Sequence, residues 1–168
     1  LNLGALQQVI IYTDGGCEGN PGPGAWAAIL WHGEVERAVS GSSPITTNNR
    51  MELQAAISAL RQLNRPCSVI LHTDSQYLRK GITEWLPSWK KRNWLTSTRE
   101  PVKNADLWRE LDGLTQGHRI DWTWVKGHAG NPNNERCDQL ASAEIKKLKK
   151  AYSPAQLKAL AHEFRQNP

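Results

Sequence analysis

Two apolar, β-branched runs of this chain end on the same Thr-Asp pair: VIIYTDGG at residues 9–16 and SVILHTDSQ at 68–76. Between them lie two further strand patterns, at 25–31 and 34–40, and a helical pattern with Leu53, Ile57, Leu60 and Leu63 on one face. A strand, a long helix and a strand in this order predict parallel pairing of the Thr-Asp strands through a right-handed crossover. Such pairing puts Asp14 and Asp74 side by side at the sheet end where α/β folds bind ligands. Two more acids, Glu52 in NNRMEL and Asp138 in NERCDQLA, come from other elements. Crowded carboxylates repel, a divalent cation relieves the repulsion, and hard oxygen ligands suit Mg²⁺ or Mn²⁺.

Each acid also has an ordinary structural explanation. Asp14 before Gly15-Gly16 suits a turn, and Asp74 suits a helix cap. Glu52 stands three residues after Asn49, the spacing of a capping box with Asn49 as the cap. Asp138 suits a solvated helix face. The repeated Thr-Asp ending weighs against four independent accidents. His128, between Gly127 and Gly130, is predicted in an exposed loop, where an imidazole can move protons near neutral pH.

The Gly and Pro residues from Gly15 through NPGPG predict a turn free of regular structure. Residues 76–89 read as a helix interrupted at Gly81 and Pro87, and 90–101 as a protruding loop. A helix follows at 104–116, a strand at 119–125, and a helix from the Asn131-Pro132 start to about 150. At 168 residues the chain reads as one domain, with a core at about 9–150 and a C-terminal extension at 151–168 that forms a short helix started by Ser153-Pro154. A hydrophobic content of 39% with 22% charged residues excludes a disordered chain, and no apolar run is long enough to span a bilayer. With no basic leader and three cysteines without CxxC spacing, the expectation is a cytoplasmic protein without disulfides or a zinc site.

The net charge of +5 is concentrated. Residues 79–103 hold seven basic and two acidic residues, and the rest of the chain is neutral. In WLPSWKKRNW, Trp85, Trp89 and Trp94 surround Lys90, Lys91 and Arg92. Cations neutralise phosphates and aromatic rings pack on sugars or bases, so the segment predicts a nucleic-acid contact. Trp85 and Trp89, four apart on one helical face, also predict packing.

In TDGGCEGNPGPG, TTNNRMEL, TDSQY, WKKRNW, PVKNADLW and WVKGHAGNPNNERCDQLA, the chain resembles bacterial type 1 ribonuclease H over residues 9–143. The resemblance implies an α/β, RNase H-like fold: a five-stranded mixed sheet, its first three strands antiparallel, flanked by helices. It implies an endoribonuclease that hydrolyses the RNA strand of RNA–DNA hybrids with two Mg²⁺ ions, leaving 5′-phosphate and 3′-hydroxyl ends. Asp14, Glu52, Asp74 and Asp138 would be the metal-binding acids, and His128 would assist water handling or product release. Cys17, Asn20, Asn48, Asn49 and Gln76 would contact the hybrid, and Thr47 and Asn104 would hold a DNA phosphate. Trp85, Trp89, Lys90, Lys91, Arg92 and Trp94 would grip the DNA strand. The implied enzyme is a monomer whose partner is the hybrid, with no membrane.

Two departures stand out: Gly16 replaces the Ser of the usual TDGS, and Ile45 stands where a basic residue often precedes TTNN. A hybrid-binding module without cleavage, and a DNA-processing relative of the integrase kind, remain open on sequence. The intact acid set weighs against the first. The amides suited to reading 2′-hydroxyls weigh against the second.

Overall fold

The computed structural model describes residues 6–126 and 130–167. Its sheet has five strands, β1 (Gln7–Cys17), β2 (Gly22–His32), β3 (Val35–Thr46), β4 (Cys67–Thr73) and β5 (Arg119–Trp124), in the order β3-β2-β1-β4-β5. The β1–β2 and β2–β3 pairs are antiparallel, and β1–β4 and β4–β5 are parallel. The mixed sheet with three antiparallel strands first is therefore present. So is the parallel pairing of the two Thr-Asp strands.

Strand periodicity separates two cores. Val9 and Ile11 of β1, Ala28 and Leu30 of β2, and Val69 and Leu71 of β4 face α1 (Asn48–Arg61) and, beyond it, α4 (Ala105–Thr115). On the opposite face Ala25, Ala27 and Ile29 meet Cys137 and Ala141 of α5 (Pro132–Ala151). Every residue of α1 from Ala55 to Leu60 is buried, because the helix is covered by the sheet on one side and by α4 on the other. Trp108 of α4 is fully buried, and truncating such a ring costs about 3–5 kcal/mol.

Three local expectations are corrected. The Gly-rich stretch after Asp14 is not a turn. β1 continues to Cys17, with Gly15 opposite Trp26 and Cys17 opposite Gly24, and the reversal is confined to residues 18–21. The cap of α1 is Thr47 rather than Asn49, its hydroxyl accepting from Arg50 N at 3.3 Å. The helical stretch after β4 continues without breaking: α2 (Gln76–Lys80) passes through a π-helical turn, Gly81–Trp85, into α3 (Leu86–Lys91). Gly81 is pressed against Trp108, where a Cβ would fall 1.9 Å from the ring. Pro87 sits in the first turn of α3, where its missing N–H is harmless. The last helix, α6 (Pro154–Gln166), starts at a capping box made by Ser153 and Gln156, and packs on β3 and β2. Among the described residues, no helix is long and apolar enough to cross a membrane.

Candidate active site

The parallel ladder between β1 and β4 ends at Tyr12 opposite His72, whose rings stack 4.4 Å apart. Two residues beyond this pair stand Asp14, still within β1, and Asp74, just past the end of β4. The threonines before them are buried and fasten the strand ends. Thr13 Oγ1 donates to the His72 carbonyl at 3.2 Å, and Thr73 Oγ1 accepts from Ser75 N at 3.1 Å.

Glu52 reaches the same place because α1 crosses β1 at very short range. A Cβ on Gly15 would lie 2.4 Å from the Met51 carbonyl carbon and 2.7 Å from Glu52 N. Any side chain there would push α1, and Glu52 with it, away from the sheet. Glu52 does not close a capping box. Its Oε2 accepts a short hydrogen bond from Ser75 Oγ, which also accepts from Leu78 N at 3.0 Å as the cap of α2. One hydroxyl thus starts a helix and holds an acid.

Asp138 lies exposed on α5, next to the fully buried Cys137, whose thiol donates to the Tyr12 carbonyl at 3.4 Å and anchors the helix against β1. One turn earlier, Asn134 is buried, and its Oδ1 has no hydrogen-bond partner among the described residues. His128 lies outside the described residues.

The electrostatics show a shared field. Burial pushes the Glu52 carboxyl up to about 7; its bond from Ser75 opposes this, and the charges of Asp74 and Asp14 add to it. Burial pushes the Cys137 thiol up to about 12, with the charge of Asp14 adding to it. Asp14 and Asp74 thus both act on Glu52, and Asp14 also acts on Cys137 of α5. Among the described residues, no three Asp, Glu, His or Cys side chains are gathered into a finished metal cage. An all-oxygen donor set of carboxylates fits a hard divalent cation.

Beside the acids, the β1–β2 turn and the start of α1 meet. Cys17 Sγ donates to Gly19 O and lies 3.7 Å from Asn20 Oδ1, which accepts from Asn48 N at 3.1 Å. Gln76 is exposed at the start of α2. Thr47, Asn49 and Asn104 line a groove of ≈ 1080 Å³ on the α1 side. Asn104 takes a left-handed conformation, φ 61°, ahead of α4. Its Oδ1 accepts from Arg50 at 3.2 Å and its Nδ2 donates to Tyr77 Oη at 3.1 Å, while Arg50 also grips Asp106 with both guanidinium nitrogens. That ion pair holds the Asp106 carboxyl below its usual range.

The tryptophan segment is first a packing unit. Trp85, Trp89 and Trp94 are half-buried; Trp89 contacts the other two and the buried Trp108, with centroids 5.4–6.3 Å apart. Lys90 is tied to Asp112 at 3.2 Å, whereas Lys91 and Arg92 are exposed and make no ion pair among the described residues. Ser75, Tyr77, Arg50 and Asn134 escaped the sequence reading. Only Ser75, between an acid and a helix start, carried a local signal.

The RNase H family profile matches residues 6–146. The chain is 58% identical to the ribonuclease H of Alcanivorax borkumensis over 144 residues, 86% of this chain and 95% of that protein. Among solved structures it resembles LC9-RNase H1, a type 1 RNase H with the type 2 active-site motif, at 33% identity and a TM-score of 0.76, covering 84% of this chain and 74% of that one. It also shares the fold of LC11-RNase H1, solved in complex with RNA/DNA hybrid, at 22% identity and a TM-score of 0.63, covering 83% and 98%. The chain belongs to the RNase H family and is a ribonuclease H enzyme.

Proposed function

We propose that the enzyme hydrolyses the RNA strand of RNA–DNA hybrids at the centre formed by Asp14, Glu52, Asp74 and Asp138, leaving 5′-phosphate and 3′-hydroxyl ends with little sequence preference. The observation that carries the reading is the convergence of acids from separate elements: α1 seats Glu52 against Gly15, next to Asp14, and Ser75, next to Asp74, bonds the Glu52 carboxylate. Two Mg²⁺ ions held there, with Mn²⁺ as a substitute, would activate the attacking water and stabilise the departing 3′-oxygen.

The chain's own part is positional. Asp14, within β1, and Asp74, just past the end of β4, each stand two residues beyond the last pair of the parallel ladder, Ser75 orients Glu52, and Cys137 fixes the helix that carries Asp138. Cys17, Asn20, Asn48, Asn49 and Gln76 lie where a duplex resting on the acids would offer its 2′-hydroxyls, which amides can both donate to and accept from. Thr47 and Asn104 present donors to a DNA phosphate. Lys91 and Arg92, with Lys90 and the Trp85, Trp89 and Trp94 surface, grip that strand further along. LC11-RNase H1, of the same fold, has been solved on such a hybrid. His128 would handle water or product release, a role carried by the resemblance alone. One copy holds every candidate residue, in keeping with a monomer, and free Cys17, Cys67 and Cys137 suit the cytoplasm.

Labelled RNA–DNA, RNA–RNA and DNA–DNA duplexes incubated with and without Mg²⁺ test the reading. Cleavage confined to the RNA of the hybrid and dependent on the metal is expected. Hybrid binding without cleavage, or cutting of the DNA duplex, would overturn it.

A further inference from the structure

The C-terminal end of α5 returns to the β1–β2 turn. Cys137 bonds the Tyr12 carbonyl of β1, and Lys149, about three helical turns further on, forms an ion pair with Glu18, the first residue after β1. A helix rises about 1.5 Å per residue and a strand about 3.3 Å, so the helical path from Cys137 to Lys149 and the strand path from Tyr12 to Glu18 both cover roughly 18–20 Å. The helix thus runs alongside β1 from the acid centre to the turn. At about 100° per residue, Asp138 and Lys149 fall on the same flank of α5.

Glu18 is an unexpected residue in that turn. It stands between Cys17 and Asn20, the side chains proposed to meet the hybrid, and it is exposed. Its backbone N–H donates to Pro23 O at 2.8 Å, which fixes it in the turn. A carboxylate there repels a phosphate backbone, and Lys149 is its ion-pair partner among the described residues. The lysine is held at its post: Leu148 beside it is buried, and Ser153 starts α6, which packs on β3 and β2. Its neighbours are engaged differently. Lys147 pairs with Glu144 at 3.7 Å, while Lys146 and Lys150 are exposed without an ion pair among the described residues. A pair as exposed as Lys149–Glu18 adds little to folding, so stability does not account for it.

We infer that Lys149 is a positioning residue for substrate: by pairing with Glu18 it cancels the negative charge in the turn that carries Cys17 and Asn20, so that this turn can approach a phosphate backbone. The inference rests on the hybrid reading and carries the binding face to the far end of α5. Lys149 acts through Glu18 and does not itself touch the nucleic acid. Two unit charges about 6 Å apart in water repel enough to weaken binding about threefold, and more where protein displaces the water. Salt screens the repulsion, so the effect belongs to low ionic strength.

The test compares four proteins: wild type, Lys149→Ala, Glu18→Gln and the double variant. Binding of a labelled RNA–DNA hybrid is measured by fluorescence anisotropy in metal-free buffer, and cleavage is measured separately in Mg²⁺. At about 0.02 M salt, Lys149→Ala should weaken binding by between about threefold and tenfold, and the difference should vanish by about 0.5 M. In Mg²⁺ its KM should rise by a similar factor with kcat and the thermal midpoint unchanged. Adding Glu18→Gln should restore wild-type binding, because no charge is left to mask, and Lys149→Arg should bind as the wild type does. Wild-type binding by Lys149→Ala at low salt would overturn the inference. So would a loss that Glu18→Gln does not repair, which would make Lys149 an ordinary phosphate contact, or a loss that persists at high salt with a lowered thermal midpoint, which would make its role structural. Failure of the wild-type protein to cleave hybrid in Mg²⁺ would instead overturn the ribonuclease reading, while the ranking of the four metal-free affinities still decides the role of Lys149.

Discussion

The acid centre and the basic, tryptophan-rich segment of 85–94 solve opposite electrostatic problems. At the centre, like charges are brought together by elements that nothing else can displace: paired strands, a helix seated on Gly15 and a hydroxyl shared between Glu52 and Leu78 N. In the basic segment, like charges face water and only the aromatic rings beneath them are fixed. Rigidity is thus invested where charges repel at short range, and screening is relied on where they do not. A substitution in the first region should act on the chemistry or on stability, and one in the second on encounter and grip.

The largest expected effect is at the two Thr-Asp acids. Asp14→Asn and Asp74→Asn should each lower kcat by ~10³-fold or more with little change in thermal unfolding. Near-wild-type turnover by either would erase the contrast between the two regions. Next comes a pH effect on the metal-free protein. Because Glu52 has its pKa raised to about 7, the folded state holds a proton that the unfolded chain has already released above the ordinary carboxylate range. Stability therefore falls as pH rises through that window, and the loss is complete above about 7. Glu52→Gln keeps the bond from Ser75 and removes the charge, so it should stabilise the metal-free protein by about 2 kcal/mol near pH 8 and by almost nothing near pH 4. Urea unfolding at the two pH values measures this, and an equal gain at both would mean that burial and the neighbouring charges do not raise Glu52.

The smallest effect belongs to the basic segment. Lys91→Ala with Arg92→Ala should raise KM about tenfold at low salt, leave kcat intact and reduce the salt slope of binding by roughly one for each phosphate no longer neutralised. Lys90→Ala should do less, since Asp112 already engages that ammonium. A drop in kcat from these exposed sites would show that the two regions are coupled more tightly than their packing implies.

The parallel strands were legible because a β-branched run and its Thr-Asp end are local signals, and a crossover of one hand then fixes the pairing. The continuation of β1 through Gly15 and Gly16 was not. Glycine reads locally as a breaker, and here it answers a demand from α1, a helix that begins more than thirty residues later. Thr47 and Asn49 are both competent caps, and composition alone could not choose between them. The i, i+4 spacing of Trp85 and Trp89 did signal packing, but their main partner, Trp108, lies on another helix. Asn104 was found by motif, yet the Arg50 and Tyr77 bonds that orient it join residues 27 to 54 positions away. Sequence exposes what each element can offer; which offer is taken up depends on what folds against it.

The π-helical turn at Gly81–Trp85 works as a phase shifter. Each residue of an α-helix advances the surface by about 100°, so the extra residue in this wide turn rotates everything that follows relative to α2. Deleting one residue there would hardly shorten the helix but would swing Trp89, Lys90 and Lys91 by that angle. The direction in which the basic segment faces is therefore written in a residue count, and neutral substitutions of its exposed side chains leave that direction untouched.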